Sequence, residues 1–163
     1  MSAQGYYLDG YNLLFSSFHS TCSLASQREA LIDFLQKSFS GRKIRGALIF
    51  DGDVGRAGES GRSYSSPLEI IYTPHHESAD AYILEKLEGI SHRSHITVVT
   101  NDRILAQAVR ALGAKTMKNE PFLKWLKKKP KKSEEKPEIK ETAKHFERLL
   151  KLFSRDPEDK DSL

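Results

Sequence analysis

Four short apolar runs, each followed within a few residues by a carboxylate, constrain this chain more than any other feature of it. Tyr6-Tyr7-Leu8 leads into Asp9, Ala47 to Phe50 into Asp51, Leu68 to Tyr72 towards Glu77 and Asp80, and Ile96 to Thr100 towards Asp102. Three of the four are continuous or nearly so rather than alternating, which is the pattern of strands buried on both faces. A weaker fifth run is Ala114 to Met117. Helical patterns lie between them. Ser26-Gln27-Arg28-Glu29 reads as a capping box opening a helix to about Phe39, with Ala30, Leu31, Phe34, Leu35 and Phe39 on one stripe. Further helices are expected over 78–88, over 102–112 with Gly113 as the stop, and over 121–129 with Pro121 in the first turn. The β-α-β alternation predicts an α/β chain with three layers, α/β/α, around a central, mainly parallel twisted sheet.

A chain of 163 residues suggests one domain with a remainder. The domain is expected over 1–129, and a charged tail over 130–163 with an amphipathic helix at 139–153. Residues 52–66, rich in Gly and Ser, read as a surface loop. Cys22 stands alone, so no intramolecular disulfide forms, which suits a reducing compartment. The first residues lack the basic and apolar regions of a secretory signal, and no apolar run has the length of a membrane helix, so a cytoplasmic protein without a membrane partner is expected. The net charge of +4 arises entirely after residue 120, mostly within Lys124 to Lys132. Such a cluster attracts phosphate through charge and counterion release, though lysine runs also occur as solvated surface.

Position makes the carboxylates informative. In an open parallel sheet, ligands bind beyond the carboxyl ends of the strands, at the point where strand order reverses. Asp9, Asp51 and Asp102 fall at such ends, and Glu77 and Asp80, three residues apart at a helix start, project to nearly the same side. An Asp after a strand is often only the N-cap of the next helix. That reading weakens when several strand ends share the feature. Converging carboxylates repel, which raises their pKa values or opens the site. A hard divalent cation relieves the repulsion, and oxygen-only ligands favour Mg²⁺ or Mn²⁺ over zinc. The single cysteine and the lack of an HExxH pattern give zinc no support. Such an ion can activate water and stabilise charge on a phosphate undergoing in-line displacement. Asn12, three residues after Asp9, is placed to orient a carboxylate or a bound water.

Leu8-Asp9-Gly10-Tyr11-Asn12 resembles the opening DGYN motif of NYN-domain proteins, a branch of the PIN-like nucleases. Glu77-Ser78-Ala79-Asp80 resembles that family's E-[ST]-A-D segment, and Val98 to Asp102 its strand-ending T-S-D motif. Order and separations fit the YacP-like subgroup, whose bacterial members include ribosome-associated mRNA endonucleases, over about residues 5–128. The resemblance implies a PIN-like fold, Mg²⁺ or Mn²⁺, cleavage of single-stranded RNA, and the ribosome as a further partner. It maps the metal-binding acids onto Asp9, Glu77, Asp80 and Asp102, with Asn12 as their catalytic companion. Asn101 stands where Ser is usual, in a position to alter a helix cap or a water contact. Asp51 ranks with Asn101 behind the ligands, and the lysine-rich tail lies beyond the shared domain.

For RNA, the expected backbone contacts are Arg56, Arg62, Lys124, Lys127, Lys128 and Lys129, with Tyr11 or Tyr64 offering a stacking face to a base. Two rival readings exist. A non-catalytic RNA- or ribosome-binding module has no reason to gather negative charge where phosphates go. A haloacid dehalogenase-like phosphatase is suggested by Phe50-Asp51-Gly52-Asp53-Val54, with Lys115 as its lysine. That family needs an acidic pair after a later strand, whereas the later aspartates here lie in the polar tail. Its nucleophile also ends the first strand, the place that Asp9 occupies.

Overall fold

Strands β1 (Gln4–Asp9), β2 (Ile44–Phe50), β3 (Gly61–Ser63), β4 (Leu68–Tyr72), β5 (Ile96–Val99) and β6 (Lys115–Met117) form one sheet in the order β3-β4-β2-β1-β5-β6. These are seen in a computed structural model that describes residues 4–17, 21–52, 61–63, 67–128 and 146–151. Every pairing is parallel except that of β3 with β4. From β1 the chain steps outward through β2 to β4, then returns to the other side of β1 for β5 and β6. The strand order therefore reverses between β1 and β5, and all five parallel strands end along one edge.

Helices α1 (Gly10–Ser17), α2 (Leu24–Ser40) and α5 (Asn119–Lys127) cover one face, and α3 (Ala79–Glu88) and α4 (Arg103–Ala111) the other. The continuous apolar runs follow from this arrangement. Leu48 and Phe50 pack with Leu13, Leu31, Phe34 and Phe122, while Ala47 and Ile49 pack with Ile83, Leu105 and Val109. Successive residues of one strand point to opposite layers, so both sets must be apolar. Leu8, Leu48 and Phe50 are fully buried, and truncating a side chain of that kind to alanine costs roughly 2–5 kcal/mol.

Several boundaries differ from the sequence expectation. Helix α2 opens two residues before Ser26, with Ser23 as its N-cap and the Ser23 Oγ accepting from Ser26 N at 3.2 Å. Helix α5 starts at Asn119, so Pro121 still falls in the first turn. Ser78 and Asp102 are caps rather than helical residues, and Gly113, at φ 87°, ends α4 in the left-handed region. Helix α1 was not anticipated. Its Leu13 and Leu14 are buried side by side, and no capping pattern precedes it. The turn from β1 into α1 depends on Gly10, where a Cβ would stand 2.5 Å from the Phe50 ring and 2.8 Å from the Ile49 carbonyl oxygen. Within the loop read over 52–66, residues 61–63 form β3, a short edge strand that takes its order from β4.

Of the helix expected over 139–153, residues 146–151 are described, and they are helical. The segment is docked rather than detached: Phe146 is buried and stacks on Phe34 with ring centroids 3.7 Å apart. Among the described residues no helix is long and apolar enough to cross a membrane.

Candidate active site

Asp9, the last residue of β1, is only 7% exposed. Asp80 approaches it from the first turn of α3, held there by Ser78, whose Oγ accepts from Ala81 N at 3.1 Å. The two carboxyl groups lie close enough to share a hydrogen bond. Both oxygens of such a bond are acceptors when ionised, so it requires a proton between them. Asp9 is pushed up to about 7, first by burial and then by the negative charge of Asp80, while a bond from Thr100 opposes the rise. Burial also raises Asp80, followed by the charge of Asp102 and, more weakly, that of Asp51, while the bond with Asp9 pulls it back. Among the described residues, no Lys, Arg or His is among the groups acting on either acid.

Asp102 has two roles at this edge. Its Oδ1 caps α4, accepting from Ile104 N at 2.8 Å and Leu105 N at 3.1 Å. Its charge also bears on both Asp9 and Asp80. The capping explanation is therefore correct for one oxygen without exhausting the residue. Among the described residues, no three His, Cys, Asp or Glu side chains are grouped closely enough to form a metal cage. The donor chemistry still suits a hard cation. Mg²⁺ is commonly held by one or two carboxylates, with water and substrate oxygens in its other positions, rather than by an all-protein cage.

Beside the acids lies a network of amides. Asn12 Oδ1 accepts from Asn101 N at 2.8 Å, Asn119 Nδ2 at 2.9 Å and Thr100 Oγ1 at 3.4 Å. The Thr100 hydroxyl also reaches Asp9 Oδ2 at 3.3 Å, so its one proton is shared between acid and amide. Asn119, 1% exposed, donates further to Asn12 O at 3.2 Å and Ser16 Oγ at 2.7 Å, and its backbone N–H donates to Asn101 Oδ1 at 3.0 Å. Sequence reasoning singled out Asn12 and Asn101 but missed Thr100, Ser16 and Asn119. No local pattern announces Asn119, whose partner Asn12 lies 107 residues away. Its position at the start of α5, beside the sheet edge, was the only available signal.

The other expected site residues are placed as follows. Glu77 is half-buried in the turn before α3, its N–H bonded to Pro74 O and its carbonyl accepting from Thr73 Oγ1 at 2.6 Å. That turn includes His76 in the left-handed region, at φ 67°. The Glu77 carboxylate is not among the groups acting on Asp9 or Asp80, whereas Asp51 acts on Asp80. Tyr11 corrects an expectation: it is buried, its hydroxyl accepts from Arg28 at 3.0 Å, and its ring lies between Phe15 and Phe50, so it has no open face for a base. Lys124 pairs with Glu120 at 3.0 Å, Lys127 lies over the Phe146 ring, and Lys128 is exposed. Arg62 belongs to β3, opposite Ile71. Arg56, Tyr64 and Lys129 lie outside the described residues.

Comparison with known proteins agrees with this fold. The family model described as the YacP-like NYN domain matches residues 6–159. The fold is similar to the crystal structure of Rae1 (YacP) from Bacillus subtilis, with a TM-score of 0.62 and 21% identity, covering 93% of this chain and 80% of that one. The W164L mutant of the same Bacillus subtilis protein gives a TM-score of 0.58 at 22% identity, covering 94% and 85% of the two chains. No curated protein matches by sequence.

Proposed function

Since the chain belongs to the YacP-like NYN domain family, a family of PIN-like nucleases, we propose that it is a divalent-metal-dependent endoribonuclease that cleaves single-stranded RNA. Its proposed substrate is mRNA, its proposed place of action the ribosome, and its compartment the cytoplasm. The observation that carries the reading is the touching pair Asp9 and Asp80, with Asp9 raised to about 7. A buried acid that keeps its proton up to about neutral pH, beside a second, half-buried acid, is poised to exchange it for a cation.

The proposed ligands of Mg²⁺ or Mn²⁺ are Asp9, Glu77, Asp80 and Asp102, with Asp9 and Asp80 at the centre. When bound, the ion supplies positive charge against the reacting phosphate and lowers the pKa of water. The chain's own residues prepare the edge for this. Thr100 steadies Asp9 through its hydroxyl. Asn12, held by Asn101 and Asn119, presents a fixed carboxamide beside the acids. Asp51 adds to the negative potential at Asp80, whereas Lys124, Lys127 and Lys128 stand at the far end of α5, which Arg42 ties down ahead of β2, so the contact proposed for them with the phosphate backbone lies away from the acids. The haloacid dehalogenase reading lapses with the family assignment.

The test is incubation of purified protein with single-stranded RNA in Mn²⁺ or in EDTA, alongside Asp9→Asn and Asp80→Asn. Cleavage by the wild type in Mn²⁺ alone, absent from both variants, is expected. Cleavage persisting in the variants would trace to a contaminant, and binding without cleavage would favour the non-catalytic module.

A further inference from the structure

Among the described residues, the large hydrophobic side chains that stand exposed are Phe15, at 52%, and Ile104, at 82%. Isolated exposed hydrophobics are ordinary on protein surfaces. Their placement here is not. Phe15 lies on α1, which leaves the sheet at Asp9, and Ile104 lies in the first turn of α4, its N–H bonded to Asp102 Oδ1. Because α1 and α4 pack on opposite faces of the sheet, the two side chains stand on opposite sides of the edge where β1 and β5 end.

Phe15 is also the outer ring of a stack. Its ring is 5.5 Å from that of Tyr11 at an interplanar angle of 17°. Tyr11 in turn contacts Phe50 at 4.9 Å and is tied by Arg28. The stack therefore ends at the surface on a ring held rigidly from below. Phe15 sits three residues beyond Asn12 on α1, with its ring turned through Tyr11 towards Phe50 at the end of β2, while the Asn12 amide reaches Asn101 at the end of β5, so the two groups flank the end of β1.

We infer that Phe15 is a nucleobase-stacking subsite: an unpaired base of the RNA adds the next layer to the Phe15–Tyr11 stack, and Ile104 gives apolar contact to the strand on the other side of the acids. This rests on the ribonuclease reading and deepens it, because a ring that must lie flat on Phe15 has to be free of its own helical stack. Duplex RNA is disfavoured for that reason. Stacking uses a π-face that every base has, so the subsite selects unpaired bases without fixing their identity.

The experiment measures binding of fluorescent single-stranded oligoribonucleotides in EDTA by wild type, Phe15→Ala, Phe15→Trp and Ile104→Ser, repeated with oligonucleotides carrying one abasic position in turn. Phe15→Ala is expected to raise Kd about 5-fold or more, and Phe15→Trp to retain affinity. The slope of affinity against salt should stay unchanged, since no charge is removed. At the abasic position that meets Phe15, wild type and Phe15→Ala should bind alike. Equal affinity of Phe15→Ala for the intact strand, or a loss identical at every abasic position, overturns the subsite. So does concentration-dependent dimerisation of the wild type that Phe15→Ala abolishes, because the ring would then face a second copy. If Mn²⁺-dependent cleavage persists in wild type and is lost in Asp9→Asn while Phe15→Ala binds normally, only the subsite fails. If the wild type neither binds nor cuts RNA, the ribonuclease reading fails with it.

Discussion

The acids and the amides at the same sheet edge are built on opposite principles. Asp9, Asp80 and Asp102 bring like groups together, the first buried and the others half-buried, and among the described residues no cationic side chain acts on the first two. Asn12, Asn101 and Asn119 bring complementary groups together, and Asn119 spends both Nδ2 hydrogens and its backbone N–H on neighbours. Thr100 touches both sets. Among the described residues, the buried atoms of the amide network find partners within the protein, apart from Asn119 Oδ1. The acid group is complete only with a proton or a cation. A region satisfied by its own chain serves as scaffold, and a region frustrated within its own chain awaits a ligand.

Substitutions should separate the two regions by opposite effects on activity and stability. The largest effect on cleavage is expected for Asp9→Asn and Asp80→Asn, with loss of more than about 100-fold in RNA cleavage rate, because removing even the partner of a metal ligand costs 10- to 100-fold. In EDTA the same Asp9→Asn variant should be more stable than wild type at pH 8, with a melting temperature higher by about 2–8 °C, as follows from a gain of 1–2 kcal/mol in a domain of this size. Calorimetric melting in EDTA checks this.

The sign of that stability change follows from the raised pKa. Between the ordinary carboxylate value and about 7, the folded protein holds a proton on Asp9 that the unfolded chain has released. Stability without metal should therefore fall as pH rises from 4 to 7 and level off above, and Asp9→Asn should flatten that fall. A stability profile that rises over this range in wild type, or an identical fall in the variant, would break the contrast.

An amide substitution should behave differently. Asn119→Asp replaces the donor facing Asn12 Oδ1 with an acceptor, and is expected to lower both the melting temperature and the cleavage rate, the latter by about 10- to 100-fold. A loss of rate without loss of stability would move Asn119 out of the scaffold. The smallest effect is expected for Glu77→Gln, a loss of about tenfold, because Glu77 is the outermost of the proposed ligands, its carboxylate absent from the groups acting on the central pair. A loss as large as that of Asp80→Asn would show that Glu77 swings in when the cation binds.

The same contrast marks what could be read from the sequence. Strand-ending carboxylates were legible because a continuous apolar run locates a buried parallel strand, and parallel strands finish on one edge. The amide network was not, because Asn12, Asn101 and Asn119 become neighbours only once β1 and β5 pair and α5 returns across the edge. Helix α1 escaped notice because it follows β1 without a loop, at a glycine whose need is set by the Phe50 ring on the next strand. Strand β3 is three residues long and owes its order to antiparallel pairing with β4, a long-range contact that a Gly- and Ser-rich segment does not signal. Tyr11 reads in the sequence as a stacking face for a base, while its burial comes from the distant Phe50 and Arg28.

Titration calorimetry of Mn²⁺ into wild type and Asp9→Asn, at pH 6 and pH 8 in buffers of different ionisation enthalpy, tests most directly whether the buried acids are a cation site. Expected for wild type is saturable binding that is tighter at pH 8 and releases protons at pH 6, as the ion displaces the proton held between Asp9 and Asp80, with no such binding in Asp9→Asn. Equal Mn²⁺ binding by the variant, or wild-type binding that neither releases protons nor responds to pH, would contradict it.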